Sequence, residues 1–200
     1  MACIFVGMAL VVGVASYFGY KKLVSFRDQY TAARPVELPA VKYSRDDLEG
    51  MHGRIDQFLA NAQSGETNAR LALSANDLNA LVSESWFSNR IYLSIESNVV
   101  SGKFSIPLAE LGMPLLRGRF LNGTGTFDVG CGGGTLLVTL RNVAVNGVPL
   151  PDHYQKWIQK QNMAANMATN VVSQEALNRV GRIGVANERL VIEVEPEGAP

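Results

Sequence analysis

Residues 135–147 read TLLVTLRNVAVNG. Apolar side chains alternate with Thr and Arg, many of the residues are branched at Cβ, and the run closes on Asn146-Gly147. Period-two alternation ending on Asn-Gly marks a half-buried strand entering a tight turn. Leu136, Val138 and Leu140 then share one face, because successive strand side chains point to opposite sides. Working outward, IYLSIE (91–96), NVVSGKFSIP (98–107) and FLNGTGTFDV (120–129) carry the same signal. Gly, Asn and Ser separate these runs, so the region is read as an antiparallel meander. GCGGGT (130–135) lacks the Lys-Ser/Thr ending of a phosphate loop and sits between two strand signals, so it is read as a β-turn.

Helical signals flank the meander. Ser44 and Asp47 have capping-box spacing before a helix from about Arg45 to Ala62, whose Leu48, Met51, Ile55, Phe58 and Leu59 recur at three- and four-residue steps. QSGE (63–66) ends it. RLAL (70–73) reads as a short strand, and Ser74 with Asp77 caps a second helix bearing Leu78 and Leu81. After NGVPLP (146–151), Pro151 suits a first helical turn. Tyr154, Trp157, Ile158, Ala164 or Ala165, Met167 or Ala168, and Val171 follow at helical spacing, and Gly181 is the expected stop. RIGVA (182–186) and RLVIEV (189–194) form a last hairpin about Asn187-Glu188. The expected fold is α+β: a bent antiparallel β-meander packed on a long helix, with Leu136, Val138 and Leu140 facing Trp157 and Ile158.

The N-terminal run ACIFVGMALVVGVASYFGY (2–20) holds no charged side chain and stops at Lys21-Lys22. Nineteen residues in a helix span about 28 Å, close to the hydrocarbon core of a bilayer. The basic start of a signal peptide is missing, and KKLVSF (21–26) is a poor cleavage site. A retained N-terminal transmembrane helix is therefore expected. The domain plan is an anchor over 1–22, a juxtamembrane stalk over 23–43 carrying RPVELP, a single α+β domain over 44–195, and a tail over 196–200. Lys21, Lys22 and Arg27 on the domain side argue by the positive-inside rule for a cytoplasmic domain. The lack of any residue between Met1 and the run points to a start further upstream.

With 18 basic and 18 acidic residues, the chain lacks the basic footprint of a nucleic-acid binder. Cys3 and Cys131 fall in the apolar run and the Gly-rich turn, which gives no intramolecular disulfide and leaves the redox compartment open. His52 and His153 have no ligand partner at helical or turn spacing. No acid–base pair or metal set is legible, so no cofactor is expected and a non-catalytic role is favoured over an enzyme. Asn122-Gly123-Thr124 matches a glycosylation acceptor by three residues only. Asn162, Asn166 and Asn170 recur every four residues, either as a polar solvent stripe or as a hydrogen-bonding ladder against a partner. Trp86, Phe87, Trp157, Ile158, Met163 and Met167 are either ordinary core or the lining of an apolar groove, since Met-bearing helix faces adapt to varied apolar ligands.

The order of elements, with LALSANDLNALV (71–82) before the meander and NGVPLP (146–151) after it, resembles the YpmS-like group of bacterial membrane-anchored envelope proteins. The positions that carry the likeness are Leu73, Ser74, Leu78, Asn79, Leu81, Gly147 and Pro151. The resemblance spans most of residues 70–195, and the missing basic N-terminus departs from it. It implies a relation to tubular lipid-binding folds, an apolar groove, and a domain outside the cytoplasm, and it supplies no catalytic residue. The expected function is a single-pass cell-envelope protein that binds a lipid or other apolar ligand at the membrane. The alternative is a structural or assembly factor that docks another envelope protein through a sheet edge or the Asn-bearing helix.

Overall fold

Three hairpins close on pairs of residues with positive φ: Ser97-Asn98 (51° and 60°), Asn146-Gly147 (50° and 78°) and Asn187-Glu188 (52° and 56°). Two successive left-handed residues give the type I′ turn, whose twist matches that of the flanking strands. In the computed structural model, which describes residues 27–41, 43–66, 68–110, 116–132, 135–162 and 179–194, these turns build two antiparallel sheets.

The larger sheet is a five-stranded meander of β2 (Ile91–Glu96), β3 (Val99–Pro107), β4 (Phe120–Gly132), β5 (Thr135–Val145) and β6 (Val148–Pro149), paired in that order. β4 and β5 stay in register as far as Gly132 opposite Thr135, as a tight connection between strands requires. The pairing slips between Thr124 and Thr126, where Asn142 and Val143 together oppose Gly125. Asn142 takes φ 49° there and its amide donates to Thr126 Oγ1 at 3.1 Å. This bulge inverts the alternation. Before it, Leu140 faces inward; after it, Val143 and Val145 do, and all three share one buried cluster with Phe104, Ile106 and Tyr30.

The smaller sheet pairs β1 (Arg70–Leu73), β8 (Arg189–Val194) and β7 (Val180–Ala186) in that order. Its inner face meets α1 (Arg45–Gln63) and α2 (Ala75–Ser83). Met51, Ile55, Phe58 and Ala62 of α1 bury against Leu71, Leu73, Leu190 and Val194. Both helices start with a full capping box, Ser44 with Asp47 and Ser74 with Asp77. The two cores meet on β4. β3 pairs only with Phe120–Phe127, and beyond it Val129 and Cys131 pack on the smaller sheet's cluster beside Ile183 and Val185. The Cys131 thiol donates to the Val180 carbonyl at 3.0 Å.

Residues 27–36, placed in the stalk by sequence, are hydrogen-bonded to the sheet. Ala32 bridges Phe120, Asn122 Nδ2 donates to the Arg34 carbonyl at 2.8 Å, and the Arg119 guanidinium donates to the Thr31 carbonyl at 2.8 Å.

The expected fold of one meander packed on a long helix is overturned by this two-sheet arrangement. RLAL (70–73) and the last hairpin, more than a hundred residues apart, pair with each other and leave the meander. The helix after Pro151, α3 (Asp152–Ile158), has seven residues and none is fully buried. Gln159, Lys160 and Gln161, all exposed, interrupt its apolar stripe. Ile158 does reach the cluster of Leu140, as the strand face predicts, but Trp157 points away from it, 62% exposed. The rest of the predicted helix, over 163–178, and the predicted anchor both lie outside the described residues. Among the described residues no helix is long and apolar enough to cross a membrane. The longest, α1, carries six charged residues between Arg45 and Asp56.

Candidate functional site

Of the residues singled out for an apolar groove, Trp86 and Phe87 belong to one end of the five-stranded sheet and Trp157 and Ile158 to the other. Trp86 and Phe87 sit in the turn after α2, with ring centroids 4.2 Å apart. The Arg90 guanidinium lies 5.6 Å above the Trp86 ring, donates to the Trp86 carbonyl and pairs with Glu110 at 2.9 Å. That cation–π and ion-pair arrangement holds an aromatic that is 50% exposed. Trp157 and Ile158 are on α3, which contacts β5, whereas α2 contacts β2, the opposite edge strand of the five-stranded sheet. Met163 and Met167 lie outside the described residues.

In the two described cores Met51 and Val145 are fully enclosed, and among the described residues no buried side-chain nitrogen or oxygen lacks a hydrogen-bond partner. Side-chain amides finish the sheet edges. Asn79, buried on α2, accepts from Leu93 N at 2.8 Å and donates to Leu93 O at 2.7 Å, so its amide takes the place of a neighbouring strand beside β2. On the other side Gln155 accepts from Val143 N at 3.1 Å, next to the bulge, and donates to Leu150 O at 3.2 Å. Asn162 accepts from Val138 N at 3.0 Å and donates to Leu136 O at 2.8 Å. Of the Asn162, Asn166 and Asn170 stripe, the first member is thus a hydrogen-bonding rung against this chain's own strand. An open edge is a template for pairing with another chain, and these amides occupy its groups at Leu93, Leu136, Val138 and Val143.

One open cleft of about 640 Å³ lies between α1, β1, the start of α2, and β8. Arg54, Gln57 and Asn61 line it from α1, at spacings that put them on one helix face. Arg70 and Arg189 enter from β1 and β8, and Asp77 closes the α2 end. Burial pushes the Asp77 carboxyl up, but the Ser74 hydroxyl and amide together with Arg54 more than offset this and hold it below its ordinary value. Asp77 Oδ2 is committed to Ser74 and Oδ1 to Arg54. The pattern can bind an anion. It offers no general base, since the one carboxylate in it is held ionised and fully occupied. Sequence reasoning missed this cleft because Arg54, Arg70 and Arg189 are separated by long intervals; only the Ser74–Asp77 spacing was legible.

His52 pairs with Glu84 at 3.0 Å across α1 and α2, and the His153 ring stacks on Tyr154 at 4.1 Å. Among the described residues no group of His, Cys, Asp and Glu could hold a metal ion. Compared with protein-family models, with curated proteins and with solved structures, the chain matches none. The likeness to the YpmS-like group therefore rests on the residues quoted for it above.

Proposed function

We propose that this chain is a membrane-tethered docking domain of the bacterial cell envelope. It is held at the bilayer by residues 2–20 and recognises another envelope protein outside the cytoplasm through an aromatic face on α3. The single observation that carries this reading is a pair of aromatics left outside on one short helix whose Ile158 is packed in the core. Tyr154 and Trp157, three residues apart and so neighbours on one helix face, are both exposed while Ile158 beside them is packed. Trp and Tyr are the residues that most often anchor protein interfaces. The amides on β2 and β5 weigh against docking by strand addition at those edges.

A lipid-binding role is the second reading, favoured by the charge-free run at 2–20. One experiment separates the two: a photo-crosslinking amino acid placed at position 157 in the native cells, with position 99 as control. A discrete protein adduct specific to position 157 supports docking. Adducts to lipid alone support the lipid reading, and equal labelling from both positions refutes the aromatic face as a specific surface.

A further inference from the structure

The cleft beside α1 has the composition of an anion site that the docking reading does not use. Its guanidinium groups come from three separate elements, so folding alone brings them together: Arg54 from α1, Arg70 from β1 and Arg189 from β8. Two carboxylates partly balance them. Asp77 pairs with Arg54, and Glu193 lies 3.4 Å from Arg70 Nε, leaving the terminal nitrogens of Arg70 available. The Arg189 side chain makes no hydrogen bond or ion pair among the described residues. The side chains of Gln57 and Asn61 likewise have no partner there. One wall thus presents unbalanced positive charge in planar, forked donors, and the facing helix presents two amides that both donate and accept.

We propose that this cleft binds a phosphate ester, with Arg70 and Arg189 on the phosphate oxygens and Gln57 and Asn61 on hydroxyl groups of the esterified alcohol. Guanidinium forks match phosphate geometry in a bidentate way, and these charge-assisted bonds are the strong ones. The volume lies within the range of small-molecule sites. Arg54 is a positioning residue. Its Asp77 partner is fixed by the capping box, so the arginine is held against the α2 end and narrows the cleft there. The same chemistry is offered by a soluble sugar or glycerol phosphate and by the headgroup of an anionic phospholipid.

The test is calorimetric titration of the full chain in a non-ionic detergent with glycerol 3-phosphate, and in parallel with mixed micelles containing phosphatidic acid or phosphatidylcholine. Saturable binding of glycerol 3-phosphate assigns a soluble ester. Binding confined to phosphatidic acid micelles assigns a headgroup, and either outcome supports the site. Arg70→Gln and Arg189→Gln should each weaken binding by about ten-fold or more, because each removes charge-assisted bonds. Arg189→Lys keeps the charge without the fork and should fall between parent and Arg189→Gln. Arg141→Gln, on the distant strand β5, should bind as the parent does. Absence of binding to both ligands at about 10 mM, beyond the weakest useful affinity, overturns the proposal. So does an equal loss in Arg141→Gln and Arg189→Gln, which would reduce the effect to overall charge.

Discussion

Gly102→Ala probes how tightly the inner face of the five-stranded sheet is filled. A Cβ at position 102 would lie 2.6 Å from Cε2 of Phe127 and 3.3 Å from Cδ2 of Leu93. Carbon pairs are at rest near 3.5–4.0 Å, so the Phe127 ring would have to retreat by about 1 Å. It has little room, because its strand neighbours are Val100 on β3 and Leu140 on β5, both buried. Overpacking of this kind costs about 1–3 kcal/mol, and the lower chain entropy of unfolded alanine offsets about 0.4–1 kcal/mol of it. The expected net loss is about 1–2 kcal/mol. It is read as the shift of the urea midpoint of the full chain in non-ionic detergent, followed by far-ultraviolet circular dichroism.

Two partner variants make the test specific. At Gly184 on β7 an added Cβ meets nothing within 4 Å, so Gly184→Ala should be neutral or slightly stabilising. Phe127→Leu removes the far edge of the ring, and on that background Gly102→Ala should lose most of its cost. The double-mutant cycle should then give a coupling of about 1 kcal/mol or more. A Gly102→Ala protein as stable as the parent, or a coupling indistinguishable from zero, would refute the claim that Gly102 makes room for the Phe127 ring.

Two further outcomes follow from the caps. Asp77 has its carboxyl held below the ordinary value of 3.8, so its contribution is full above that pH and is lost as pH falls through the lower folded value; Asp77→Asn should be about 1 kcal/mol less stable at neutral pH, and the gap should close in an acid titration below about pH 4. If the gap instead persists unchanged to the acid limit, the ionised cap is not its source. Gln155→Leu strands the Val143 amide beside the bulge and should cost about 1–3 kcal/mol, with hydrogen exchange accelerating most at Val143; unchanged protection at that amide would show that Gln155 does not secure the bulge.

The local grammar was legible because it depends on neighbours. Ser44 with Asp47, Ser74 with Asp77, and the hairpins at Asn146-Gly147 and Asn187-Glu188 each involve residues a few positions apart, and each stands as read. The sheet partition was not legible. RLAL (70–73) has a short strand's composition whichever sheet it joins, and its partner β8 is fixed only by which apolar face covers Met51 and Phe58. The bulge was hidden for another reason. Read as unbroken alternation, Leu136, Val138 and Leu140 would put Val143 and Val145 on the outer face, yet those two are among the most buried residues. Asn142 was the available signal, since Asn tolerates the left-handed conformation that a bulge needs. Among the candidate groove residues, sequence spacing gave Ile158 its core place but could not send Trp157 outward, because adjacent positions on a short helix differ only by rotation.

Asparagine and glutamine connect these observations to function. Asn79, Gln155 and Asn162 each bind backbone groups of a strand through both ends of one amide, Gln155 through the Val143 amide and carbonyl, and they do so on β2 and β5. A leucine of similar size would pack there but leave strand donors and acceptors open, and such an edge recruits further strands without discrimination. An amide satisfies those groups and gives an incoming strand nothing to pair with at the same positions. On the two proposals above, recognition is then left to the exposed Tyr154 and Trp157 on α3 and to the arginines that line the cleft from three elements. Both surfaces read shape and charge. For the docking domain proposed above, that arrangement favours selective partners over adventitious strands.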